Sequence, residues 1–134
     1  MAGIRLGVAT VLCLIGVAAP AGAASFPCRS PLLSATELAI CQDPQLSKAD
    51  EDTARKAQAL LRRLSYGQYL GLRYLQSRGA EAREQCAQDR ACLAAQYRVQ
   101  NRFLDGLRQC MDSGTPRRTC WRTLRDGGNV ALPR

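Results

Sequence analysis

Six of the seven cysteines lie in three sequence-near pairs, Cys28 with Cys41, Cys86 with Cys92 and Cys110 with Cys120. An even set of this kind in a short exported chain reads as a disulfide framework. Bridges between near neighbours staple local segments, and each short loop is expected to contribute about 2–3 kcal/mol. A metal site is the competing reading. No pair has the C-x-x-C spacing and the chain has no histidine, so no metal and no other cofactor is expected.

The seventh cysteine, Cys13, falls in a segment that reads as a leader. Arg5 is followed by an uncharged apolar or small run from Leu6 to Ala19, then Pro20 and the small-x-small triplet Ala21-Gly22-Ala23. This order is that of a secretory signal peptide over residues 1–23, cut after Ala23 or Ala24. The run is shorter than the roughly 20 residues a spanning helix needs, and no transmembrane segment is expected once it is removed. Neither Cys13, after Thr10-Val11-Leu12, nor Cys28, after Ser25-Phe26-Pro27, has the small residues of a lipoprotein signal. The expected location is therefore periplasmic or secreted.

Residues 24–134 are one domain by size, with a core small enough to benefit from covalent staples. Ser34-x-x-Glu37 has the pattern of a capping box, which predicts a short helix through Cys41. Asp43-Pro44 repeats a helix start. Leu46, Ala49, Thr53, Ala57, Leu60 and Leu64 then recur at helical spacing. Gly67 and Gly71 are expected to mark a turn. A second stripe runs Leu72, Leu75, Gly79, Ala82, Cys86, and Asp89 caps a third of Leu93, Tyr97, Gln100, Leu104, Leu107 and Met111, which Val99 and Phe103 widen. The fold class that follows is all-α, a small disulfide-stapled up-down bundle of about three to four helices over residues 24–111. Residues 112–134 read as a C-terminal extension with the third disulfide, anchored by Cys120-Trp121 and irregular at its end. Tyr66, Tyr69 and Tyr74 are expected to pack at helix ends rather than form an exposed contact patch.

Charge narrows the function. Without Arg5 there are 18 basic and 11 acidic residues, a net of +7. A positive field favours anionic partners, which outside a cell include lipid head groups, cell-wall polymers and acidic proteins; nucleic acid is not expected there. Catalysis is not expected either. The chain has no histidine to serve as a base at neutral pH, and its carboxylates sit beside cations at helix-surface spacing, as in Lys48-Ala49-Asp50-Glu51-Asp52 and Arg83-Glu84.

Several of these residues together resemble a family. Ser25-Phe26-x-Cys28, Glu37-x-x-Ile40-Cys41, Asp43-Pro44-x-Leu46 and Asp50 are similar to the opening motif of the lysozyme inhibitor LprI-like N-terminal domain family. Gln76, Arg83 and Cys86, then Cys92-Leu93 and Tyr97, are similar to its later cysteine-bearing stretches. The resemblance runs from Ser25 to about Leu107. Gly79 stands where the family usually has tryptophan, the family's arginine near position 100 is displaced or absent, and Cys110 and Cys120 lie outside the pattern. The member that names the family is a lipoprotein, and this chain lacks that signal. The resemblance implies a helical domain with Cys28–Cys41 and Cys86–Cys92 bridges, and inhibition of lysozyme by stoichiometric binding. The alternative is a basic helical module that binds an anionic lipid or cell-wall polymer and inhibits no enzyme.

Overall fold

A computed structural model describes residues 24–126; the leader expected over residues 1–23 and the tail from Gly127 lie outside them. Five helices follow one another: α1 (Ala35–Gln42), α2 (Pro44–Leu61), α3 (Tyr66–Cys86), α4 (Arg90–Asp112) and α5 (Arg117–Asp126). The all-α bundle is the expected class, with one helix more than the upper expectation. The extra helix is α5. It starts after Thr115-Pro116 and buries Cys120 and Trp121, with Leu124 packed against the same core one turn on.

The starts of these helices follow from local side-chain chemistry. Ser34 and Glu37 form a reciprocal capping box at α1. Asp43 accepts from the backbone N–H groups of Gln45 and Leu46, and Asp89 from that of Cys92. The turn expected at Gly67 and Gly71 is corrected: both lie inside α3, and the chain turns at residues 62–65. Ser65 caps that helix, with the Gln68 side chain accepting from its N–H. The signal overlooked was Ser65-x-x-Gln68, itself a capping-box pattern. At Gly71 the glycine serves packing, because a Cβ there would lie 2.5 Å from the Trp121 ring.

α4 is the spine, packed along α2 and also against α3 and α5. The core divides into two clusters along it. One holds Ala57, Leu60, Leu72, Phe103, Leu107 and Trp121, with the Phe103 and Trp121 rings edge to face at 6.1 Å. The other holds Ala24, Ile40, Leu46, Leu93 and Tyr97. Disulfides join Cys28 to Cys41, Cys86 to Cys92 and Cys110 to Cys120, each bridge tying neighbours in sequence. The three bridges are those of an oxidising compartment. Among the described residues no helix is long and apolar enough to cross a membrane.

Candidate functional site

The motif residues serve first as architecture. Ile40 and Leu46 are core, and Glu37 completes the α1 cap. Asp50, Arg83 and Tyr97 meet where α2, α3 and α4 converge. The Asp50 carboxylate is 4% exposed. One oxygen accepts the Tyr97 hydroxyl at 2.8 Å, and the other accepts the Ser25 backbone N–H at 2.6 Å. The Arg83 guanidinium lies 4.9 Å over the Tyr97 ring and donates to Gln100 Oε1 at 2.8 Å. Burial pushes the Tyr97 hydroxyl well above the usual tyrosine range; Arg83 opposes this, and the Asp50 charge and hydrogen bond reinforce it. Gln76 stands apart from this network, its Oε1 buried without a hydrogen-bond partner. Gln100, read from the sequence as part of an apolar stripe, is a polar member of it. Its amide lies over Gly79, within 3.1–3.2 Å of where a Cβ would be.

Two surface features lie outside the motif. The first is a groove of about 730 Å³ between α2 and α4. Leu46, Ala49, Ala94 and Tyr97 line it beside Arg90, Arg98 and Arg102. Arg90 pairs with Asp43 at 3.5 Å, whereas Arg98 and Arg102 are exposed and form no ion pair among the described residues.

The second is the outer face of α3. Tyr66, Leu70 and Tyr74, each one turn from the next, are 78%, 48% and 62% exposed, and Tyr69 beside them is 38% exposed. This corrects the expectation that the tyrosines pack at helix ends. The inner face of α3 already carries Gln68, Leu72 and Ala82 into the bundle, so residues at the intervening positions point outward. Arg73 lies among the tyrosines, exposed and without an ion pair among the described residues. No Asp or Glu occurs between Asp52 and Glu81. The ridge is therefore aromatic and positive, with no acid of its own helix turn to neutralise it.

No family model, curated protein or solved structure matches the chain. The likeness to the LprI-like pattern accordingly rests on its motif residues alone, Asp50, Arg83 and Tyr97 among them. The geometry adds a physical role for Asp50, Arg83 and Tyr97: they hold the lead-in and the last turns of α3 to α4.

Proposed function

We propose that the protein is exported by a cleaved signal peptide and acts by stoichiometric binding, as an LprI-like inhibitor of lysozyme whose contact surface is the α3 ridge. The observation that carries this reading is the exposed Tyr66–Leu70–Tyr74 stripe with Arg73 beside it. Large apolar side chains left outside on a rigid helix cost the free protein hydration. Tyrosine and arginine are also the residues that most often dominate protein interfaces. Lysozyme-type glycosidases hold two carboxylates in their cleft, and a guanidinium matches a carboxylate in charge and shape. The exposed Arg73, flanked by tyrosines on α3, supplies such a guanidinium.

Titration of the mature protein against purified lysozymes, with muramidase activity followed in parallel, tests the reading. One-to-one inhibition is expected. Tyr66→Ala, Tyr74→Ala or Arg73→Glu should weaken it roughly 30-fold or more, the effect of losing about 2 kcal/mol at an interface centre, without lowering Tm. Against a basic lysozyme the net charge of +7 opposes approach, so the association rate should rise as salt shortens the Debye length to about 8 Å.

A second reading draws on the unpaired Arg98 and Arg102 at the α2–α4 groove: an envelope module binding an anionic lipid or polymer. That binding should fall with salt. Salt-sensitive binding to anionic lipid or lipopolysaccharide, with no lysozyme binding at any ionic strength, would replace the first reading with the second.

A further inference from the structure

Asp50 is a buried carboxylate without a counter-charge. Its two partners, the Tyr97 hydroxyl and the Ser25 N–H, are both neutral donors, and no cation of the described residues pairs with it. Other acids of the chain are paired at the surface, as Asp52 is with Lys48 and Arg55, and Asp112 with Arg63 and Arg108. A carboxylate taken out of water is costly unless it is both hydrogen-bonded and matched by opposite charge. The titratable group in contact with Asp50 is Tyr97 from α4; Arg83 from α3 is engaged with the Tyr97 ring and Gln100. From the lead-in, the contact is a backbone nitrogen at 2.6 Å.

That nitrogen lies at the expected processing site. Cutting after Ala24 turns Ser25 N into an α-ammonium group; cutting after Ala23 places the ammonium one residue earlier, on Ala24, which is itself buried in the core. We propose that Asp50 is the socket for the mature amino terminus, and that removal of the leader creates the cation that completes the core. This rests on the export reading of the proposed function. Ser25 is exposed, so ammonium protons that do not reach Asp50 remain hydrated. Phe26 packs on the neighbouring core cluster, and Cys28 is bridged to Cys41, so the terminus is held in place from its other side. The uncut precursor has an amide where the mature chain has a charge, and the last stabilising contact of the fold forms only after export.

The sign of the pH dependence follows. Pairing with Asp50 raises the folded-state affinity of the ammonium for its proton. The stabilisation is complete below the unfolded α-amino pKa of about 7.7–8.0 and is lost as pH rises through the higher folded value.

The test uses the oxidised mature chain, begun at Ala24 or at Ser25, with its amine free or acetylated; acetylation removes the charge and keeps the N–H. The free-amine chain should melt several degrees higher at pH 6–7, and the difference should close as pH is raised above about 9. Asp50→Asn should abolish the difference. If that variant does not fold, a raised α-amino pKa of the native chain, followed by NMR, is the second readout. Equal Tm for free and acetylated chains at every pH, or an α-amino group titrating as in a free peptide, overturns the proposal. Intact mass of the exported protein reports separately on the export reading: a retained Met1 would remove that reading while the comparison of defined chains still decides whether Asp50 binds an amine.

Discussion

The two ends of the bundle are stabilised in different ways. At one, Trp121, Phe103, Leu72 and Leu107 belong to one apolar cluster, and Trp121 fills the space left by Gly71. At the other, an apolar cluster surrounds a buried carboxylate, a tyrosine hydroxyl and a backbone N–H. Close packing of apolar groups is sensitive to volume and insensitive to pH. A buried polar network is directional, and removing one member leaves the others unsatisfied. The first end should therefore respond to changes of volume, and the second to changes of donor, acceptor and proton.

The largest effect is expected where volume matters most. Trp121→Ala removes the side chain that joins α5 to α3 and α4, and should cost about 3–5 kcal/mol. Denaturant unfolding of the oxidised protein measures it. A loss below about 1 kcal/mol would mean that α5 contributes to the core only through the Cys110–Cys120 bridge.

At the polar end, Tyr97→Phe keeps the ring beneath Arg83 and deletes only the hydroxyl. Asp50 then keeps a single donor, and the expected cost is about 1–3 kcal/mol. The same residue sets an alkaline limit. Because the folded protein holds the Tyr97 proton more tightly than the unfolded chain does, its contribution is fully present below the unfolded tyrosine pKa of about 10 and is lost as pH rises beyond it. Stability should fall above about pH 10 in the native protein and fall less steeply in Tyr97→Phe. Identical alkaline limbs in the two proteins would place the limit elsewhere.

The chain shows its local instructions more plainly than its distant ones. The caps at Ser34, Asp43 and Asp89, and the apolar stripes of α2 and α4, are legible because each depends on residues within a turn or two. Asp50 reads from its neighbours as one more carboxylate of a solvated helix face, and its burial corrects that: the nearby cations Lys48 and Arg55 pair with Asp52 instead. The partners of Asp50, Ser25 and Tyr97, are 25 and 47 residues away, and nothing in the spacing brings them together. The exposure of Tyr66, Tyr69 and Tyr74 is hidden in the sequence for a related reason. Which face of α3 turns outward depends on where α3 begins, and reading Gly67 and Gly71 as a turn hid that start. α5 was legible in part: Cys120-Trp121 gave its anchor, while Leu124 one turn later was the overlooked sign of a helix.

Gly71 and Gly79 bring the comparison down to a single methyl group in one helix. Alanine favours a helix interior over glycine by about 0.5–1 kcal/mol, so each substitution starts with the same small gain. At Gly71 the new Cβ would lie 2.5 Å from the Trp121 ring. The rigid indole is itself packed against Phe103, and overpacking of this kind costs about 1–3 kcal/mol. At Gly79 the neighbour is the far end of Gln100, at 3.1–3.2 Å, and a flexible amide can move by the few tenths of an ångström required. The cost there is a weaker Arg83–Gln100 hydrogen bond, at most about 0.5–1.5 kcal/mol. Gly71→Ala should therefore destabilise by about 1–2 kcal/mol relative to Gly79→Ala, which should stay within about 1 kcal/mol of the native protein. Paired thermal melts read the difference directly. If Gly71→Ala proved as stable as Gly79→Ala, the indole would have to yield as easily as a glutamine amide, and the apolar end would not be the rigid, volume-limited half of this bundle.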